Sequence, residues 1–262
     1  MKKWKGNEKA EKTLFGILAI LTFFVLWECI TVFTKAGETT PGPVEVLRML
    51  VVSFVEPLGN YTIYGHLYYS LRRVLVGYTV AAALGIVTGL SMGASDYAEA
   101  IIKPLFELIR PIPPIAWIPL VILWFGIGEL PKYVIIFLGS FTNITLNAYT
   151  GAKRVDPTLI GCAKMLGTRN RDVFLRVILP SSLPQIFAGM QVALSTAWMA
   201  VLAAEMIGAQ EGCGWIILRG SDTNNIPLVL VGMVVIGAVG LLLATMMRMT
   251  ERRLCSWNRT DV

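Results

Sequence analysis

The chain has 262 residues; 55% are apolar or aromatic and only 15% are charged. A soluble domain carries about 25% charged residues and cannot hide this much apolar surface beneath a polar shell. The same figures exclude disorder and a disulfide-rich secreted scaffold, and an all-α integral membrane protein is predicted. The net charge of +6 fits either nucleic-acid binding or the cytoplasmic excess of Lys and Arg that orients membrane proteins. Its distribution decides for the second.

Runs of about 20 mostly apolar residues occur at Leu14–Phe33, His66–Met92, Ile101–Phe125, Lys132–Tyr149, Pro184–Ile207 and Ile226–Met247. Six spans put both termini on one side. The first run follows Lys2, Lys3, Lys5, Lys9 and Lys12. Its length and its end in Thr31–Lys35 predict an uncut anchor rather than a cleavable signal. The N-tail, Lys103, the 151–183 loop and the C-tail (Arg248, Arg252, Arg253, Arg259) together hold 16 of the 23 Lys and Arg. Both tails are therefore expected in the cytoplasm. The predicted organisation is a basic tail (1–13), a six-span domain (14–247) and a C-terminal tail (248–262).

Outside the membrane, Pro43 opens a stretch with Val44, Leu47, Val51 and Phe54 at helical spacing, which predicts a short amphipathic helix at the outer interface. Gly208–Asn225 is rich in glycine and reads equally as a re-entrant loop or an ordinary connection. Gly77, Gly85 and Gly89 in the second span are predicted close-packing positions. Cys29, Cys162, Cys213 and Cys255 form no CxxC pair, and His66 is the lone histidine; no metal site or disulfide is predicted.

The 151–183 connection is long for a compact bundle and has helical grammar of its own. Asp156-Pro157 reads as an N-cap followed by proline at the first helical position. Leu159, Ile160, Ala163 and Leu166 make an apolar face, and Gly167 is a left-handed stop. A second short helix is predicted from about Thr168, ending before Pro180. An exposed apolar face with basic flanks suggests a protein docking surface; lying on the lipid headgroups is the competing reading.

Gly161-Cys162-Ala163-Lys164-Met165-Leu166-Gly167, followed by Ile178-Leu179-Pro180, resembles the EAA loop of permease subunits of binding-protein-dependent ABC importers. Gly161 stands where that loop often has glutamate, and Cys162 replaces its first alanine. Arg110-Pro111-Ile112-Pro113-Pro114-Ile115-Ala116-Trp117-Ile118-Pro119-Leu120 and Trp124-Phe125-Gly126-Ile127-Gly128 resemble the third span of the nitrate/sulfonate/taurine/bicarbonate branch. Ser70-Leu71-Arg72-Arg73, Ala204-Glu205-Met206, Gly212-Cys213-Gly214-Trp215 and Arg252-Arg253-Leu254 before Trp257 extend the likeness.

The resemblance implies a type I importer permease of the bacterial inner membrane, working as a homodimer or close heterodimer. An extracytoplasmic solute-binding protein would deliver the solute, and two ATPase subunits would carry ATP and Mg, with no cofactor on this chain. It places ATPase coupling on Leu159, Ile160, Cys162, Ala163, Leu166, Gly167 and Pro180. A small anion is the implied solute, taurine or another alkanesulfonate first, with nitrate and bicarbonate open. No G-x-x-x-x-G-K-[ST] string occurs, so this chain lacks that phosphate-binding loop. A secondary transporter or channel is the alternative; the first would usually need more spans or an inverted repeat, and the second would not explain the docking loop.

A charge at the bilayer centre costs about 2.5–3.5 kcal/mol on insertion scales, so Glu28, Arg72, Arg73, Arg110 and Glu205 are expected to face protein or water. Pro111, Pro113, Pro114 and Pro119 break the third span, which is tolerated where backbone is packed in protein or lines a cavity. Candidate pathway residues are Arg110, Pro113, Pro114, Trp117, Asn143, Asn147, Ser195, Trp198 and Glu205. For the polar residues of the fourth and fifth spans, interhelical hydrogen bonding is the competing reading.

Overall fold

The computed structural model describes residues 2–38 and 40–255. Trp257, Arg259 and the rest of the tail beyond residue 255 lie outside them. The helices are α1 (Lys2–Phe33), α2 (Pro43–Val55), α3 (Ile63–Ala94), α4 (Asp96–Ile109), α5 (Ile118–Phe125), α6 (Glu129–Lys153), α7 (Pro157–Met165), α8 (Asn170–Val173), α9 (Leu179–Gly208), α10 (Cys213–Asp222) and α11 (Ile226–Leu254). No strand occurs among the described residues, only one isolated bridge between Leu58 and Tyr61.

Among the described residues, four helical segments are long and apolar enough to cross a membrane: Glu11–Phe33, Ile63–Ala94, Asn170–Gly208 and Ile226–Leu254. The pair Asp96–Ile109 and Pro114–Phe125, bent by 82°, meets the same criterion together, as a broken span or a re-entrant loop. This is the break that the proline run dictates. Pro113 is extended at ψ 140 ahead of a single 3₁₀ turn, Pro114–Trp117. The six-span reading also needs α6. At 25 residues it is long enough, but Ser140, Thr142, Asn143, Thr145 and Asn147 make it too polar to qualify on composition.

Two compact units divide the chain: residues up to Tyr64 with Ile216–Val234, and Gly65–Trp215 with the chain from Val235 on. In the first unit, α2 begins with Pro43 at a helix-initial position and exposes Val44, Leu47 and Val51, as its spacing predicts. Phe54 instead packs on Tyr64, ring centroids 5.3 Å apart. Half-buried Glu28 accepts the Val44 N–H at 3.4 Å.

The second unit is organised by small residues. A Cβ on Gly77 would lie 2.7 Å from an Ile136 methyl, and one on Gly85 3.1 Å from an Ile144 methyl. A Cβ on Gly89 would overlap Ala148. This glycine ridge lets the α3 backbone lie against α6. Apolar burial supplies little drive inside lipid, so close packing and interhelical hydrogen bonds hold such contacts.

Between α6 and α9, Asn143 Nδ2 donates to Thr196 Oγ1 at 3.2 Å and Thr196 Oγ1 donates to the Gly139 carbonyl at 2.8 Å. Gln185 Nε2 donates to Asn147 Oδ1 at 2.8 Å. Tyr78 Oη reaches the Met190 carbonyl at 2.9 Å, and Trp198 Nε1 the Ile236 carbonyl at 3.1 Å. Val74, Ile136, Ala197, Trp198 and Val201 form the core between these helices.

Two expectations are corrected. The helix through Arg171 does not stop before Pro180 but continues through Phe174–Ile178 into α9. The Leu179 N–H donates to the Phe174 carbonyl, five residues back. This wide π turn makes room for Pro180, which has no N–H to place and whose ring would crowd the carbonyl four residues earlier. The 151–183 connection therefore holds one free-standing short helix rather than two. The glycine-rich Gly208–Asn225 stretch is likewise not mere loop, because it contains α10.

Candidate functional site

Two places concentrate the predicted functional residues. The first is α7, bounded by strong local signals. The Asp156 carboxylate accepts the Thr158 N–H at 2.8 Å, with Pro157 next in the chain. That bond stabilises the ionised form and holds the Asp156 carboxyl below its ordinary value. At the other end Gly167 has φ +76°. Its N–H donates to the Lys164 carbonyl at 3.0 Å, and the Thr168 N–H to the Ala163 carbonyl at 3.2 Å. This is the paired closure of a Schellman stop.

Clefts flank α7 on both sides. One, of about 430 Å³, is lined by Lys153, Val155, Ile160, Lys164 and Phe174. The other, of about 280 Å³, is lined by Arg154, Asp156, Leu159 and Gln185. The helix thus stands off the bundle, and Met165 and Leu166 are 82% and 85% exposed. Leu159 and Cys162 are also exposed, while Ile160 and Ala163 are half-buried. Pro180 lies in the first turn of α9. Arg154, Lys164, Arg169 and Arg171 are exposed around this face. Lys153 instead bridges to Asp96 at 3.2 Å and Glu99 at 2.7 Å.

The second place lies at the opposite end of α9, about 45 Å along a 30-residue helix. Glu205 and Arg73 are both fully buried, 2.9 Å apart. The Glu205 carboxylate also accepts from Ser70 Oγ at 2.8 Å and from the Gly214 N–H at 2.9 Å. Ser70 Oγ accepts the Cys213 N–H at 2.8 Å, and His66 Nδ1 accepts the Gly212 N–H at 3.0 Å. The His66 ring stacks on Trp215, centroids 5.1 Å apart.

His66, Ser70 and Arg73 lie on one face of α3, at spacings of four and three. His66, Ser70 and Glu205 accept the otherwise free N–H groups of Gly212, Cys213 and Gly214 at the start of α10, while Arg73 donates to the Glu211 carbonyl just before it. That remote capping explains why a glycine-rich segment forms a helix. Gly212 must be glycine: its φ is +120°, and a Cβ there would overlap the Glu205 carboxylate.

The remaining pathway candidates scatter. Asn143 and Asn147 are spent on the α6–α9 bonds described above. Ser195 is exposed and donates back to the Gln191 carbonyl at 3.3 Å. Trp198 is buried, with its N–H on the α11 backbone. Arg110 and Pro113 are exposed, Pro114 and Trp117 half-buried. Arg110 pairs only with neighbouring Glu107 at 3.3 Å among the described residues. Arg72 is exposed, unlike Arg73. Sequence reasoning missed Glu129, Glu211 and Lys132 as members of the Arg73 cluster. No local pattern links positions 73, 129 and 211.

Among the described residues, no group of His, Cys, Asp and Glu could hold a metal. The four cysteines are free.

The description "binding-protein-dependent transport system inner membrane component" matches residues 81–255. The taurine transport system permease protein of Escherichia coli (strain K12) is 34% identical over 258 residues, 98% of this chain and 94% of that protein. The bicarbonate transport system permease protein of Synechococcus elongatus is 29% identical over 252 residues, 93% of this chain and 89% of that protein. An inward-facing methionine ABC transporter structure aligns with TM-score 0.60 at 17% identity, covering 79% of this chain and 97% of the other. A crystal structure of an amino acid ABC transporter gives TM-score 0.60 at 15% identity, covering 80% and 96%. These solved structures share the fold. Sequence and fold agree: the chain belongs to the family of membrane-spanning permease subunits of binding-protein-dependent ABC importers.

Proposed function

We propose that this chain forms the translocation pathway for a small anion and that α7 is where its ATPase seats. The observation that carries the docking assignment is the pair Met165 and Leu166, 82% and 85% exposed on a helix stopped at both ends. Two large apolar side chains held out from the bundle, among exposed basic residues, suit a partner protein better than water. Leu159, Ile160, Cys162, Ala163, Leu166 and Gly167 would meet the ATPase. Pro180 would set the π turn through which α7 connects to α9.

ATP and Mg belong to two copies of that partner. A homodimer of this chain would enclose the pathway, and an extracytoplasmic binding protein would deliver the solute. Both termini would be cytoplasmic, with 1–13 and 248–262 as tails of the 14–247 permease domain. ATP-driven closure of the ATPases would push α7 and open the pathway outward. Taurine or another alkanesulfonate is the first choice of solute, because the Escherichia coli taurine permease aligns over nearly the whole chain. Nitrate and bicarbonate follow. The pathway is assigned to the broken third span and its neighbours: Arg110, Pro113, Pro114, Trp117, Asn143, Asn147, Ser195, Trp198 and Glu205.

The decisive experiment purifies the tagged chain from its native membrane and assays uptake of labelled taurine, nitrate and bicarbonate. An ATPase should co-purify, and uptake should cease when that ATPase is inactivated. Uptake that persists without it would indicate a secondary carrier and overturn the reading.

A further inference from the structure

The charge cluster at the far end of α9 has a stoichiometry that packing alone does not require. An arginine has five N–H donors, and Arg73 uses all five. Nε and one Nη2 proton grip Glu129, at 2.8 and 2.6 Å. The other Nη2 proton goes to Glu211 Oε1 at 2.6 Å. Nη1 supplies Glu205 at 2.9 Å and the Glu211 carbonyl at 2.8 Å. One planar group therefore ties together α3, the start of α6, the end of α9 and the loop before α10. A lysine, with three donors and no plane, cannot make these bonds.

The four partners of the cluster differ in exposure. Arg73 and Glu205 are fully buried, whereas the Glu129 side chain is 44% exposed and Glu211 is 23% exposed. Glu129 also has a second cation at hand, Lys132 Nζ at 2.6 Å. It can leave Arg73 without becoming an unpaired charge. Glu205 has no such alternative, because its other bonds go to Ser70 and to the Gly214 N–H that caps α10.

The chain order connects this joint to α7. α7 lies between α6 and α9 in sequence, and those two helices are bonded along their length. Contacts run from Gly151 against Gln185, through Asn147–Gln185 and Asn143–Thr196, to Glu129 and Glu205 on Arg73. A push on α7 acts on one end of this pair, and the Arg73 cluster is at the other.

We propose that Arg73 is a positioning residue for transport: the guanidinium joins the α6–α9 pair to the Gly208–Gly214 loop so that movement of α7 reaches that loop, and the Arg73–Glu129 bond is the one that exchanges. This rests on the assignment of α7 as the ATPase seat. The direct warrant is a named joint with one replaceable bond, not mere distance between sites.

The test is hydrogen exchange of the loop amides in the purified complex with its ATPase, in lipid nanodiscs, with and without ATP plus vanadate. The Gly212, Cys213 and Gly214 N–H groups report directly, because His66, Ser70 and Glu205 hold them. In the wild type, trapping nucleotide is expected to change their exchange about tenfold, the scale of a local opening. In Arg73→Lys and in Glu129→Ala this nucleotide response is expected to vanish while the ATPase still co-purifies and hydrolyses ATP. Glu129→Ala serves alone if Arg73→Lys does not assemble. A purely structural role for the cluster would shift exchange equally in both nucleotide states and leave the response intact. A wild-type response in Glu129→Ala, or no response in the wild-type complex with ATPase bound, overturns the proposal. Failure of any ATPase to co-purify with the wild type would instead overturn the seat on α7.

Discussion

Gly189 presses against the side chain of Asn147 so closely that a Cβ at position 189 would overlap the Asn147 Cβ and lie 2.9 Å from its Cγ. The α6–α9 pair is built on this contact, with Gly151 and Gly139 above and below it. Gly189→Ala is expected to cost about 1–3 kcal/mol through overpacking, seen as a lower thermal midpoint in detergent or nanodiscs. Asn147→Gly should restore part of the loss in the double variant, because it removes the colliding atoms. An unchanged midpoint for Gly189→Ala would deny the close approach.

Gly167 tests the stop of α7. At φ +76° a β-branched residue is strained, although a Cβ would meet only open space. Gly167→Val is expected to unwind or redirect the end of α7 at a cost of about 1–2 kcal/mol. Membrane insertion should be retained and ATPase association lost. Gly167→Asn should fall between, since asparagine tolerates the left-handed region. Transport in the order Gly, Asn, Val checks the backbone argument separately from any contact.

Leu166→Glu addresses the docking face itself. The side chain is 85% exposed, so the variant should fold and insert normally. If Leu166 is buried by the ATPase, its loss should weaken association by about 2 kcal/mol, or roughly thirtyfold. Pull-down of the ATPase against the concentration of the variant measures this. Unaltered binding would place the seat elsewhere.

Pro180→Ala restores a backbone N–H opposite the π turn. The five-residue bond from Leu179 to Phe174 can then relax to ordinary α-helix. That change rotates the segment before Phe174 by about 100° relative to α9, one residue of helix. The expected result is equal or higher thermal stability with less solute moved per ATP hydrolysed. Full coupling would show that the orientation of α7 does not depend on this turn.

Local physics made much of this molecule legible. The Asp156-Pro157 start, the Gly167 stop, the proline break between α4 and α5 and the glycine ridge of α3 follow from residue types and spacing alone. The π turn was not legible: a proline reads as a stop unless the chain can widen the preceding turn, and only the continuous packing of Phe174 and Ile178 on Leu90, Ala148 and Ile186 favours that. α10 was hidden for a different reason. Its caps His66 and Ser70 are supplied from α3, 146 and 143 residues away in sequence, and Glu205 from the helix just before it. The sequence marks Arg73 as a charge needing a partner, but Glu129 and Glu211 emerge only once the fold brings three helix ends together.

The polarity of α6 has a consequence for biogenesis. Apart from Thr145, whose buried hydroxyl has no partner among the described residues, its serine, threonine and asparagine side chains are satisfied by its own backbone and by α9, yet α9 is synthesised later. A nascent α6 is a poor substrate for release into lipid on its own. If α6 crosses the membrane, it is expected to wait within or beside the insertion machinery until α9 has emerged, so that the two helices would enter the bilayer as a hairpin. A ribosome stalled between them would leave α6 extractable from the membrane, while one stalled after Gly208 would not.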